Sequence, residues 1–339
     1  MLSYERSTRL FVGSAGERMS WWRSHSDNAR YVDLWMFPSM HPTNVDLLQR
    51  LKSADDRQFG KNMDVCGTVS EYDAKRKGWI KSHLIGLRTD VWTPDKVEKQ
   101  QAINRLQKNR REELKDDVKY RGRLSAKEAV ELEQQLQDDA IMNLKTGDIE
   151  QRRLVLKHFK TTTKRIRWIG SIEELSSWEV TNSLAAKRPL LSLAVNLSGI
   201  DVFTVVQQQH RWLRYPAVYG FVFMDESTNR LWNITVKRKW VSFGADFDIE
   251  GDGKHIGAID GNLIGFGYNA YIDVYEPTLA QNSRFMDVLT LFTSSVGYHK
   301  GIWKSIKRRM KLIRAGQWFQ NSIDLDELRL LEAPRRRSA

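Results

Sequence analysis

The chain contains one cysteine, Cys66, in 339 residues. A single thiol excludes an intramolecular disulfide and leaves no cysteine set for a structural zinc site, so a reducing compartment is expected. Also missing is any apolar signal-peptide core near the N-terminus. Arg6, Arg9, Arg18, Arg23 and Arg30 lie among serines there, as in an organelle transit peptide, although Glu5, Glu17 and Asp27 depart from that pattern. The expected location is a mitochondrion or the cytoplasmic face of a membrane.

Catalytic signatures are absent as well. The seven histidines, at 25, 41, 83, 158, 210, 255 and 299, are scattered, and there is no zinc-protease helix, serine nucleophile elbow or P-loop. Two look-alikes fail on spacing. Asp246, Asp248, Glu250 and Asp252 resemble the start of a calcium loop, but the twelfth position is Gly257 in one register and Ile259 in the other, where a bidentate acid is needed. Gly265, Gly267 and Ala270 imitate part of a dinucleotide fingerprint, but the residues that follow, 271–275, read as a strand, and a pyrophosphate needs a helix N-terminus. No catalytic residue, cofactor, metal or small-molecule substrate is expected.

What is present is charge, apolar residues enough for a core, and one distinctive stretch. The net charge of +12 favours phosphate-bearing partners such as nucleic acid or anionic lipid, and 41% hydrophobic residues suffice for one large domain or two ordinary ones. In 233–277, short β-rich runs are punctuated by Glu250-Gly251-Asp252-Gly253 and Asp260-Gly261-Asn262, whose Asp-Gly pairs suit tight hairpins because glycine tolerates positive φ. Next come Phe285, Met286, Val288, Leu289, Leu291, Phe292 and Val296, which point to every side of a helix. A helix apolar all round is buried. At about 25 Å, interrupted by Arg284 and Asp287, it falls short of the roughly 18 uninterrupted apolar residues of a membrane span. The expectation is a core helix wrapped by hairpins.

The run VKRKWVSFGADFDIEGDGKHIGAIDGNLIGFG resembles the repeating hairpins (basic-aromatic, then Phe-Gly, then an Asp-Gly turn) of the LURP-one, phospholipid scramblase and tubby-like superfamily. The likeness covers 190–298. It implies a closed β-barrel of about twelve strands around a hydrophobic helix near the C-terminus, and contact with phospholipid or phosphoinositide, without carrying over a lipid-binding residue set. This stretch reads as about eight or nine strands, so closure requires strands from before Val91.

The remainder divides less sharply. An N-terminal arm carries the pair Trp21-Trp22, the run 31–40 is too apolar to stand in water, and 43–53 reads as a short helix capped by Thr43. From 94 the composition turns to charged residues. Ile103, Leu106, Leu114 and Val118 keep helical spacing. Ser125 with Glu128 caps a second helix through Val130, Leu132, Leu136, Ala140 and Leu144 to Gly147, and a third run carries Leu154, Leu156 and Phe159. These helices form either a partner-facing arm or an insertion packed on the barrel. Ser171 with Glu174 predicts a helix over 171–187 that buries Ile172, Leu175 and Trp178. Strands are expected near 190–197, 200–206, 218–224 and 231–236.

The densest charge follows the core helix. Lys300, Lys304, Lys307, Arg308, Arg309, Lys311 and Arg314 place seven cations in fifteen residues with no acid, while Ile302, Trp303, Ile306, Met310 and Ile313 recur at helical spacing. These seven cations and Trp303 are the candidate contact residues, either for anionic headgroups with an apolar edge at the interface or for RNA phosphates with Trp303 and Trp318 stacking on bases. A solvated basic face with its apolar stripe against the barrel is the plain alternative. The tail ends in Arg335, Arg336 and Arg337.

The expected fold is thus α+β: an antiparallel β-barrel around a C-terminal hydrophobic helix, with a charged helical arm and an extended N-terminal arm. The segments are 1–93 (arm and mixed region), 94–188 (charged helices), 189–299 (barrel and core helix) and 300–339 (basic helix and tail). The expected function is non-enzymatic binding or scaffolding, as a structural subunit of a larger membrane-associated assembly of proteins that contacts anionic phospholipid. The alternative is an RNA-contacting structural subunit of a ribonucleoprotein such as a mitochondrial ribosome.

Overall fold

A computed structural model describes residues 25–26, 28–35, 63–121, 130, 134, 139, 141–147, 152–161, 166–200, 202–211, 216–240, 244–262 and 267–316. The Trp21-Trp22 pair, the helix expected over 43–53, most of the second charged helix, Gly265, Trp318 and Arg335 to Arg337 lie outside these residues.

Twelve strands run in sequence order round a closed antiparallel barrel. They are β1 (Arg30–Trp35), β2 (Met63–Asp73), β3 (Gly78–Arg88), β4 (Val155–Thr161), β5 (Ile166–Glu174), β6 (Ser192–Leu197), β7 (Thr204–Gln208), β8 (Val218–Asp225), β9 (Arg230–Arg238), β10 (Phe247–Gly251), β11 (Lys254–Asn262) and β12 (Gly267–Val274). Closure is made by β1, which pairs with β12 from Arg30↔Ile272 to Trp35↔Gly267 and with β2 on its other side. A barrel closed this way leaves no sheet edge. Interior and exterior alternate along the strands, most cleanly in β12, where Tyr268, Ala270, Ile272 and Val274 are buried and their neighbours half-buried.

Among the described residues six helices accompany the strands: α1 (Thr89–Trp92), α2 (Lys96–Arg121), α3 (Ser176–Ala185), α4 (Pro277–Gln281), α5 (Ser283–Val296) and α6 (His299–Arg314). Asn282 caps α5, its side chain accepting from the amides of Arg284 and Phe285. Twelve of the fourteen α5 residues are buried. Phe285 meets Phe221 and Phe223 of β8, Phe292 meets Tyr219 of β8 and Phe247 of β10, and other contacts come from β1, β4, β5, β6 and β12. Strands all round the barrel therefore touch the helix, which is why no side of it is polar enough for water. Its N-terminus lies by the β8–β9 turn, where Asn282 donates to Asp225, and its C-terminus leads to α6 at the opposite end.

Several expectations need correction. The first five strands precede residue 189, so the barrel draws on the segments read as arm and as charged helices as well as on 189–299. Leu154, Leu156 and Phe159 belong to or flank β4 rather than a helix. Ser171 and Glu174 are no capping box: both sit in β5, the helix begins at Ser176, and Trp178 is 40% exposed. Asp252-Gly253 does turn the β10–β11 hairpin, with φ of 50° and 79°. Asp260-Gly261-Asn262, in contrast, is the end of β11, where a Cβ on Gly261 would lie 2.5 Å from the Ala245 carbonyl oxygen. That glycine is required by close packing of backbone, not by a turn.

Candidate functional site: the basic helix α6

Helix α6 closes the end of the barrel reached by the C-terminus of α5. His299 at its start is buried, with Nδ1 3.3 Å from the Tyr219 hydroxyl and Nε2 3.2 Å from Ser295 Oγ. Burial holds this imidazole neutral, its pKa pushed down to about 3 with a further contribution from Arg238. Gly301 lets the helix lie against α1, since a Cβ there would come within 2.7 Å of the Trp92 ring. Ile302, Ile306 and Met310 then pack into the main core.

The polar face is ordered by helical spacing. Lys300, Lys304, Lys307, Lys311 and Arg314 are all exposed and recur at i, i+4, i+7, i+11 and i+14, forming one ridge about 21 Å long. Arg308 is exposed beside it and donates to the Gly147 carbonyl at 3.0 Å. No acidic residue belongs to the helix. The ridge is therefore a continuous strip of positive charge whose opposite face is anchored in protein.

Two of the eight candidate residues are placed differently from expectation. Arg309 points inward and is 1% exposed. Its guanidinium pairs with Glu174 at the end of β5 and with Glu179 of α3, 3.3 Å away, and donates to the Arg152 carbonyl. The carboxylates are themselves engaged, Glu174 accepting from the Leu154 amide at 2.9 Å and Glu179 from the Ser192 amide at 3.1 Å. Burial, and then the charge of Glu174, raise the Glu179 carboxyl well above its ordinary range, with Arg309 opposing the shift. The spacing already contained this: Arg309 falls three residues after Ile306 and seven after Ile302, on the apolar face. Trp303 is half-buried, its ring 5.9 Å from that of His299, so it is wedged against the barrel rather than offered as a free stacking surface. The apolar edge expected at a lipid interface is likewise turned into the protein.

The acids once compared with a calcium loop are dispersed among separate partners. Asp246 accepts from the Gly261 amide, Asp248 faces Lys239 and His255, and Asp252 accepts from the Asn233 amide and Arg230. Among the described residues no group of three or more His, Cys, Asp or Glu side chains is placed to hold a metal ion. No helix among them is long and apolar enough to cross a membrane. Cys66 is buried, and burial pushes its thiol up to about 12, which leaves it a poor nucleophile.

Fold and site together define a closed twelve-stranded antiparallel β-barrel, threaded by one buried helix and capped by a basic one. Scanning family models and searching both curated proteins and solved structures returns no match to this chain.

Proposed function

We propose that this chain is a non-catalytic binding and scaffold protein, a structural subunit of a larger membrane-associated assembly, which contacts anionic phospholipid through the ridge of α6. One observation carries the reading: five exposed cations stand in a single row on a helix without acids, held rigid by a buried opposite face. A straight row suits a flat, uniformly negative surface, where each cation contributes on the order of 1 kcal/mol. Because Trp303 and the isoleucines are held by the barrel, contact is electrostatic and lies at the headgroups. The twelve-strand barrel around a buried helix is also the architecture implied by the resemblance to the scramblase and tubby-like superfamily. A reducing location at a mitochondrial or cytoplasmic membrane surface belongs to the same proposal.

The assembly role rests on α2. Of its described side chains only Ile103 is buried. Gln107 donates to the Met142 carbonyl and Arg110 pairs with Asp139, Leu106 is half-buried, and the exposed described side chains of the helix are mostly charged, with Val97 among them.

The test is sedimentation of the purified chain with phosphatidylcholine vesicles, with and without phosphatidylserine, beside binding to a structured RNA at the same ionic strength. Binding that requires phosphatidylserine and fades with salt is expected. Binding to RNA alone would replace this reading with the ribonucleoprotein one.

A further inference from the structure

At the barrel end away from α6, four aromatic rings from four strands cluster on the outer wall, three of them, Tyr72, Trp79 and Tyr271, around a small box backed by Tyr31. Tyr31 of β1 and Tyr271 of β12 are register partners, with ring centroids 4.6 Å apart, and Tyr72 of β2 and Trp79 of β3 are register partners 5.4 Å apart. Trp79 and Tyr271 approach to 5.5 Å across the gap. Asp273, two residues beyond Tyr271 and so on the same face of β12, places a carboxylate at the rim. Each wall is held by the barrel ladder.

The occupant is not part of that ladder. His25 enters from outside any strand and sits 5.0 Å from Trp79, 5.2 Å from Tyr271 in a stacked arrangement and 5.7 Å from Tyr72. Its Nδ1 lies 3.2 Å from Asp273 Oδ2, its side chain is 6% exposed, and Nε2 is buried with no hydrogen-bond partner. Ser26 supplies an amide at 3.0 Å and a hydroxyl at 3.2 Å to the other Asp273 oxygen. Burial alone would raise the Asp273 carboxyl, yet the bonds from His25 and Ser26 outweigh it and hold the group below its ordinary range, so the box keeps a negative charge.

Aromatic faces are negative, and a stacked Tyr271 ring with the Trp79 and Tyr72 rings set at an angle to it, all beside one carboxylate, form an environment that favours a compact organic cation over a neutral group of the same shape. We infer that the Tyr72, Trp79, Tyr271 and Asp273 box is a binding site for a methylated ammonium group, plugged in cis by His25. The His25 imidazole occupies the volume such a group would take and meets the same rings and the same carboxylate. Nothing in this site depends on the anionic-surface reading of α6, which lies at the other end of the barrel.

The experiment uses the full chain carrying His25→Ala, which opens the box without touching its walls, with choline as the probe and its uncharged isostere 3,3-dimethylbutanol as the control. Calorimetric titration should show saturable choline binding, tighter than in the unsubstituted chain by about tenfold and tighter than for the isostere by a similar factor. Adding Trp79→Ala or Asp273→Asn should remove it. In the unsubstituted chain, excess choline should displace His25 and speed hydrogen exchange at the Ser26 amide, a readout that does not depend on the variant folding. Equal binding of choline and isostere would overturn the inference, as would no effect of choline on Ser26 exchange.

Discussion

Arg30, on the strand that closes the barrel, reaches through the interior to Asp287 of the central helix, with Nη1 2.6 Å from Oδ1 and 3.0 Å from the Thr290 hydroxyl. Arg30 also lies 3.6 Å from Glu71 of β2. The pair links residues 257 positions apart and explains how a helix buried among barrel strands carries an acid in its first half. Removing one partner of a buried pair leaves an uncompensated charge, so Arg30→Met should destabilise the chain by about 3 to 5 kcal/mol. Adding Asp287→Leu should restore much of that, as read from the urea midpoints. Equal loss in single and double variants would mean the charge pair is incidental.

Leu289, fully buried on α5, tests the packing of that helix directly. Leu289→Ala removes three carbons and leaves a cavity among barrel side chains that cannot collapse. A loss of about 2 to 5 kcal/mol is expected from chemical denaturation. A change within the range of surface substitutions would contradict a packed interior.

Acid should unfold the chain for a reason readable in three histidines. His83 is pushed down to about 2 by burial and by His158 beside it, His299 to about 3, and His158 well below its ordinary value, burial being the largest cause in each. Near pH 6.5 and below, the unfolded chain takes up protons that the folded chain refuses. Their stability is therefore complete above about 6.5 and lost as pH falls toward about 3, at up to roughly 1.4 kcal/mol per pH unit for each group. Glu179 and Asp287, both raised by burial, act in the opposite sense, their contribution being complete at low pH and lost as pH rises through their folded values. Three histidines against two acids leave a net decline between about pH 6.5 and 4.5. Urea midpoints at pH 7, 6 and 5 check it, and His158→Phe, which leaves two histidines against two acids, should remove most of the slope. A flat profile in the unsubstituted chain would refute the assignment.

How much of this was legible depends on which side of a strand carries polarity. The core helix was readable because α5 is apolar on every side, and the hairpins of β8 to β11 because their apolar residues alternate. The strands β4 and β5 were hidden because their interior and ends carry Lys157, His158, Glu173 and Glu174, all buried, with Glu173 paired to Arg153 and His158 beside Asp287 of α5. The spacing of Ser171 and Glu174 imitates a helix start, whereas Glu174 is bound by Arg309, 135 positions away. The aromatic box was equally invisible, since Tyr31 and Tyr271 become neighbours only when the barrel closes.

The insertion between β3 and β4 is expected to be dispensable for folding. Its ends already meet, because the Arg153 amide donates to the Val91 carbonyl at 2.9 Å and Arg152 Nε to the Trp92 carbonyl at 2.9 Å. Excising all of 94–160 would delete β4, so the informative variant replaces 96–147 with a short glycine-serine linker. It should unfold in one cooperative transition while losing association with partner proteins in a pull-down. Loss of the thermal transition would place the insertion in the core.

The most direct test neutralises the ridge of α6 and leaves its buried face alone. In a chain carrying Lys304→Gln, Lys307→Gln and Lys311→Gln, binding to phosphatidylserine vesicles should fall by about tenfold or more and lose most of its salt dependence, because exposed charges act through a screened potential about 10 Å in range. The same changes at Arg335, Arg336 and Arg337 should matter less. Unchanged vesicle binding by the folded ridge variant would contradict the account and leave α6 as the lid of the barrel.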